Sequence, residues 1–144
     1  MIRKLTRLGM FLALIVAAQG QTVPQEFVTY PGAMYDEKMS KLVVKRQADI
    51  QVFTTPEAFD KVRAFYATRF HEVKFNAPAP TVRSGVRVRW AFFTLDYESD
   101  LAHSKYWIKV QYPFIASVND DGEFTDIRDV TAIQTFHVKA RAGK

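Results

Sequence analysis

The feature that most constrains the fold is a single segment with the periodicity of an amphipathic helix. The segments before and after it instead alternate between apolar and polar residues. The large apolar residues of the pattern recur at helical spacing and form one stripe: Phe59, Val62, Tyr66 and Phe70. Thr55 and Pro56 predict the N-terminus, because the residue before a proline avoids the helical region whereas proline suits the first helical position. A helix with one apolar stripe has to pack on another layer, so this pattern predicts a helix lying on a sheet.

Strands are predicted on both sides of this helix, where apolar and polar residues alternate. The alternation covers residues 42–54 before the helix and residues 86–97, 105–115 and 130–139 after it. Consecutive strands joined by short loops favour antiparallel pairing. We therefore predict an α+β fold: a mainly antiparallel sheet of about four to five strands with one principal helix packed on one face, in the order β-α-β-β-β.

The first twenty residues have the organisation of a secretory signal peptide. An apolar run, residues 8–18, follows a basic segment that carries Arg3, Lys4 and Arg7. Ala18-Gln19-Gly20 then places small residues at the −3 and −1 positions of a cleavage site. As a helix the apolar run would extend only about 16 Å, roughly half of a bilayer core. We expect removal of residues 1–20, no stable transmembrane anchor after cleavage, and a single periplasmic or secreted α+β domain of residues 21–144.

Charge and cysteine content exclude several functional classes. The formal net charge is +5, but the leader holds three of the 20 Lys and Arg residues, which leaves 17 cations against 15 acidic residues. This near balance, without a basic cluster after the leader, argues against nucleic-acid binding. The chain has no cysteine, which excludes disulfides, thiol catalysis, thiolate metal sites and a lipid-modified cysteine after the leader.

Trp107 is the most informative single aromatic residue. The chain has 12 Phe, 6 Tyr and 2 Trp, which suit either a bulky core or a ring-lined ligand pocket. Trp107 falls on the side of its strand opposite Tyr106 and Ile108. It is therefore either exposed beside Lys105 and Lys109 or covered by a part of the protein that the sequence does not identify. A large exposed ring marks an interaction surface.

Four residues are predicted to form a ligand or partner site. Trp107 and Tyr97 would supply rings, and Arg87 and Arg89, which project from one side of a strand, would fix an anionic group or a partner. The two arginines equally suit a solvated strand face, or a sheet edge protected by charge.

The leading functional prediction is a non-catalytic binding or accessory module of the cell envelope. The sequence contains no G-x-S-x-G element, no phosphate-binding glycine loop and no dinucleotide fingerprint. Residues 117–122 partly resemble a calcium loop, but Arg128 stands where a bidentate acid is needed, so a plain hairpin turn is favoured. The prediction names a small ligand or an envelope protein as partner, no cofactor and no metal, and leaves the oligomeric state open.

A competing hypothesis is an exported hydrolase or metal-dependent enzyme. It rests on one segment that holds three alternating carboxylates and a histidine: Asp96, Glu98, Asp100 and His103. Carboxylates held close together raise one another's pKa or share a cation that activates water. Against this, residues 99–100 have the composition of a loop, where alternate side chains do not converge.

Two segments resemble a pattern found in small exported bacterial proteins. Tyr30-Pro31-Gly32-Ala33 matches a Y-P-G-A segment, and residues 55–66 match a helix of the type T-x-[DE]-x-F-x-x-V-x-x-F-Y. Residues 130–135 correspond to the Thr/Ile-rich strand that closes the sheet in those proteins. The resemblance covers about half of the mature chain and implies fold and export. It carries no functional residues, because these positions form a turn, a helix face and a core strand.

Overall fold

The computed structural model describes residues 27–42, 48–76, 85 and 87–139. The elements within these ranges are, in chain order, β1 (Met34–Tyr35), α1 (Glu37–Leu42), β2 (Ala48–Thr55), α2 (Phe59–Ala67), β3 (His71–Val73), β4 (Arg89–Thr94), β5 (Tyr106–Tyr112), β6 (Phe114–Val118), β7 (Phe124–Arg128) and β8 (Thr131–Val138). None of the helices formed by the described residues is long and apolar enough to cross a membrane. The predicted signal peptide and its cleavage site lie outside the described residues.

Six strands form one antiparallel sheet in the order β1-β2-β8-β5-β4-β3. The last strand of the chain, β8, lies in the middle and pairs with β2 on one side and β5 on the other. Among the described strands, β6 and β7 pair with each other alone and form a separate hairpin. The predicted α+β class, with a mainly antiparallel sheet and a helix on one face, is confirmed, whereas the number and order of the strands differ from the prediction.

The apolar stripe of α2 packs on the sheet as predicted. Phe59, Val62 and Tyr66 are buried in one cluster with residues of β4, β5 and β8. Tyr66 is fully buried, and its hydroxyl donates to the Val28 carbonyl at 3.0 Å. That bond lets the phenol lie inside the core without a lost hydrogen bond. It also ties the chain before β1 to the helix.

The predicted N-terminus of α2 is wrong by three residues. The helix begins at Phe59, and its N-cap, Ala58, makes no side-chain capping bond. Thr55 instead ends β2, where its Oγ1 accepts a bond from the Glu57 N–H at 3.3 Å. Thr55 therefore organises a turn between strand and helix, a role that Thr fills as readily as capping.

The short helix α1 replaces the start of the strand predicted at residue 42. Asp36 initiates it, because its carboxylate accepts the Met39 N–H at 2.9 Å and its carbonyl accepts the Ser40 hydroxyl at 2.7 Å. The Ser40 hydroxyl in turn accepts the Val52 N–H at 2.9 Å, which fixes α1 to the edge of β2. Leu42 ends the helix, and the strand begins at Ala48.

Two further differences explain the strand count. The predicted strand 105–115 is divided by Pro113, which has no N–H to donate to a ladder, so the chain leaves the sheet after β5 and enters the hairpin. The edge strands β1 and β3 have two and three residues and are too short to give a periodic signal. The turn predicted at residues 119–122 is confirmed: it joins β6 to β7, and Gly122 has a φ of 76°.

The two faces of the sheet are covered differently. α2 covers the face that carries Ala91, Phe93 and Val110. On the opposite face, α1 and the hairpin close a small cluster around Val52 and Ala132. The rest of that second face carries the candidate site.

Candidate functional site

A chain of aromatic rings crosses the sheet on the face opposite α2. Its five members are called the aromatic row: Phe75, Trp90, Phe92, Trp107 and Phe136. They come from the segment after β3 and from β4, β5 and β8, which are neighbours in the sheet. The alternation of side chains along each strand puts them on one face. Cross-strand pairing brings them together: Trp107 lies opposite Phe136 and next to Phe92.

The rings form a continuous series of contacts. Trp107 and Phe136 stack with centroids 3.6 Å apart and planes inclined by 7°. The centroid of the Phe92 ring lies 6.1 Å from that of Trp107, 5.8 Å from that of Trp90 and 4.8 Å from that of Phe75. Because the stacked rings sit on adjacent strands about 4.8 Å apart, they stand up from the sheet and present edges rather than flat faces outward.

Four rings of the row reach solvent, whereas Phe136, which is 6% exposed, lies in a small core cluster with Ala48 and Ile50, against which Trp107 packs. Trp90, Phe92 and Trp107 are half-buried, and Phe75 is 48% exposed. The core ring Phe93, next to Phe92 on the other face, has no exposed area. The row is therefore an apolar surface with access to solvent.

Two amide side chains lie on the same face as the row. Gln111 pairs across the strands with Trp90, and Gln134 pairs with Lys109. Both glutamines are more than nine-tenths buried, and in the described part of the chain neither amide has a hydrogen-bond partner. Among the same residues, no fully enclosed side-chain nitrogen or oxygen lacks a partner, so these amides reach the surface of the face. Polar groups of this kind orient a bound ligand among apolar contacts.

An open cleft lies at the β3–β4 end of the row. Its volume is about 190 Å³, and Phe75, Trp90 and Phe92 form its apolar side. Arg63, Glu72 and Lys74 supply its charged groups. It is smaller than the roughly 300 Å³ at which pockets for drug-sized ligands begin, so it takes one end group of a ligand rather than a whole molecule.

The four residues predicted as a ligand site do not lie on one surface. Trp107 is in the aromatic row. Arg89 faces the other side of the sheet, where its guanidinium pairs with Asp60 and lies 4.4 Å from the centroid of the Phe59 ring. This pairing lowers the pKa of the Asp60 carboxyl. Arg89 thus links β4 to the first turn of α2.

Neither Tyr97 nor Arg87 is a member of the aromatic row. Tyr97 lies in the β4–β5 connection, 68% exposed, with a φ of 58° that is unusual for a large side chain. Its hydroxyl donates to the carbonyl of Arg69 just after α2, at 3.1 Å, so the ring leans on the end of the helix. Arg87 is exposed just before β4.

The acidic segment proposed for catalysis is organised as a connection between strands. Asp96 uses both carboxylate oxygens within the loop, accepting the Ser104 hydroxyl and the Lys105 N–H, each at 2.7 Å. Asp100 accepts the His103 N–H at 3.0 Å and lies 2.8 Å from the His103 ring nitrogen Nδ1. This contact raises the pKa of His103 and lowers that of Asp100. Glu98 contributes its backbone carbonyl, which accepts the Thr94 hydroxyl at 2.7 Å.

These contacts give Asp96 and Asp100 separate local partners rather than a common centre. Across the described ranges, no group of three or more His, Asp or Glu side chains is arranged to hold a metal ion. The segment that resembles a calcium loop closes the β6–β7 hairpin, and there the Asn119 side chain accepts the Glu123 N–H at 2.7 Å.

Comparison with other proteins gives no further assignment. No protein-family model, curated protein or solved structure shows a significant match to this chain.

Sequence reasoning identified Trp107 but not the other members of the row. Trp90 and Phe92 could have been found, because they alternate on one side of the predicted strand 86–97. The contribution of Phe136 depends on the pairing of β5 with β8, which alternation within one strand does not reveal.

Proposed function

We propose that this protein is a non-catalytic binding module of the cell envelope, and that the aromatic row is its ligand-binding surface. The observation that carries the proposal is the combination of rings that reach solvent with two amides that have no hydrogen-bond partner within the described chain. Because these amides reach the surface of the face, a ligand with a polar group can bond to them in place of water. The ligand class that fits is a small molecule, or a segment of a protein, with an apolar body.

The periplasmic or secreted location is part of this proposal and rests on the leader alone. Mass measurement of the protein recovered from the envelope fraction tests it. We expect a mature N-terminus near Gln21. Recovery of a soluble cytoplasmic form that retains Met1 would contradict export while leaving the binding proposal open.

Binding can be tested with N-phenyl-1-naphthylamine, an uncharged probe that fluoresces in apolar surroundings. The two tryptophans of the chain, Trp90 and Trp107, both lie in the row, so energy transfer from tryptophan reports binding to the protein, and two matched variants test whether the probe lies on the row. We expect saturable transfer with the unaltered protein. Phe92→Leu removes ring contacts at the centre of the row and should weaken the affinity about five-fold, the equivalent of one aromatic contact.

Phe53→Leu is the matched control. Phe53 is also a half-buried phenylalanine in a strand, but it packs with the cluster under α2. This variant should bind the probe like the unaltered protein. Absence of saturable binding, or equal weakening in both variants, would overturn the assignment of the row as the binding surface.

The enzyme hypothesis has weaker support. Its segment supplies one oriented histidine, His103, while both oxygens of Asp96 are used inside the loop. The exposed pair of Asp100 and His103 in the β4–β5 connection does not supply a nucleophile, a base and an oxyanion site together.

A further inference from the structure

The charged side of the cleft specifies the kind of ligand that the row would hold. Arg63 from α2 and Lys74 after β3 both reach Glu72: the Arg63 guanidinium at 2.9 Å and the Lys74 ammonium at 3.6 Å. Two cations thus share one carboxylate, and the cleft has a local excess of one positive charge. The Glu72 side chain is only 18% exposed, whereas those of Arg63 and Lys74 are 39% and 73% exposed. The groups that reach solvent here are mainly the positive ones.

The hydrogen-bond inventory of the cleft also favours an anion. A guanidinium has five N–H donors and an ammonium has three, all without acceptor capacity. Arg63 directs its Nε and one terminal nitrogen to Glu72, and Lys74 directs one donor to it. Donors therefore outnumber acceptors on the charged side of the cleft. A carboxylate or sulfonate has only acceptors and makes the stronger, charge-assisted kind of bond with such groups.

The apolar side of the cleft continues into the aromatic row. Phe75 and Trp90 line the cleft and both contact Phe92, which leads on to Trp107. The cleft lies at the edge of the sheet and joins its two faces: Glu72 pairs with Phe93 on the α2 side, whereas Phe75 and Trp90 belong to the row. A ligand group held by Arg63 and Lys74 is therefore next to the first rings of the row across this edge. A volume of about 190 Å³ accommodates one ring-sized end group.

We propose that the cleft and the row together bind an anionic amphiphile, with its acidic group between Arg63 and Lys74 and its apolar body along the rings from Phe75 and Trp90 towards Trp107. This inference deepens the proposed function and rests on it, because it assigns a ligand class to the same surface. It adds a requirement that the proposed function does not make, namely that a negative charge strengthens binding.

A pair of probes separates the two proposals. 1-Anilinonaphthalene-8-sulfonate carries the same two aromatic groups as N-phenyl-1-naphthylamine together with a sulfonate. We expect the protein, purified in one form for all variants, to bind the sulfonate probe more tightly than the uncharged probe. Raising the salt concentration should weaken only the sulfonate probe, since it screens exposed charges.

Lys74→Gln is the decisive variant, because Lys74 is highly exposed and its removal leaves Glu72 paired with Arg63. We expect its affinity for the sulfonate probe to fall about two- to five-fold, as for one partly exposed charge contact, with no change for the uncharged probe. Lys41→Gln is the matched control: its side chain is 74% exposed and also contacts one glutamate, but it lies on α1 at the β2 end of the sheet. This control should bind both probes unchanged.

The outcomes are distinct. Equal affinity for the two probes, or equal effects of Lys74→Gln and Lys41→Gln on the sulfonate probe, overturns the anionic preference and leaves the binding surface intact. Failure of both probes to give energy transfer from tryptophan overturns the proposed function itself.

Discussion

The two faces of β4 give the sharpest test of the structure, because Phe92 and Phe93 are adjacent in sequence and lie in different surroundings. Phe93 is fully buried under α2, with its ring 5.8 Å from that of Tyr66. Phe92 is half-buried in the aromatic row. Replacing each with alanine removes the same atoms from the same strand, so the difference between the variants reports the face and not the residue type.

The expected magnitudes differ by a factor of about two to three. Phe93→Ala should lower the free energy of unfolding by about 3–5 kcal/mol, the range for a fully buried phenylalanine that leaves a cavity. Phe92→Ala should lower it by about 1–2 kcal/mol, because part of its ring is already exposed and the site opens to solvent. With a urea m-value of about 1.5 kcal/mol/M, the midpoint should fall by about 2–3 M for Phe93→Ala and about 1 M for Phe92→Ala.

Urea unfolding followed by circular dichroism measures both midpoints. If Phe93→Ala does not fold, Phe93→Leu and Phe92→Leu provide the same comparison at lower cost, with the larger loss again expected at Phe93. Equal losses at the two positions, or a larger loss at Phe92, would show that the row is enclosed like a core and would refute its assignment as an accessible surface.

Three further predictions concern individual contacts. Tyr66→Phe should destabilise the fold by about 1 kcal/mol in urea unfolding, because the partly buried hydrogen bond to the Val28 carbonyl is lost. Burial also raises the pKa of the Tyr66 phenol, so this bond should persist in alkaline solution. In an NMR titration the pKa of His103 should lie above its ordinary 6.5 and return towards it in Asp100→Asn. Because the pKa of His103 is raised, the stabilisation by this pair is lost as the pH rises through the pKa of His103. Because the pKa of Asp100 is lowered, the stabilisation is also lost as the pH falls through the pKa of Asp100. An unchanged titration of His103 in Asp100→Asn would contradict the pairing. Arg128→Gln should lower the free energy of unfolding by about 1–2 kcal/mol and speed hydrogen exchange in the β6–β7 hairpin, because Arg128 bonds to the partly buried Asp36. Equal exchange rates in the hairpins of the variant and the unaltered protein would argue against this link.

The parts of the fold that were predictable are those with long periodic patterns. The stripe through Phe59, Val62 and Tyr66 specifies which side of α2 is buried, and alternation in 105–115 places Ile108 and Val110 in the core. These signals depend on spacing within one segment, so they can be recognised without knowledge of the tertiary contacts.

The parts that were not predictable depend on contacts between distant segments. α1 has six residues and a start that depends on Asp36, whose carboxylate also bonds to Arg128, 92 positions later. A helix of this length is marginal by itself and exists because of its packing. The same holds for the site: Trp107 stands out in sequence, but its stacking on Phe136 follows from the pairing of β5 with β8.

The position of β8 has a consequence for the order of events during synthesis. The last strand to be made fills the gap between β2 and β5, so the sheet cannot close until residues as late as Val138 have left the ribosome. Until then the growing chain has two half-sheets without their shared neighbour, and pairing them requires contacts between widely separated segments, which form slowly. If residues 1–20 act as the proposed export signal, this delay would be useful, because passage through a translocation channel requires an unfolded polypeptide.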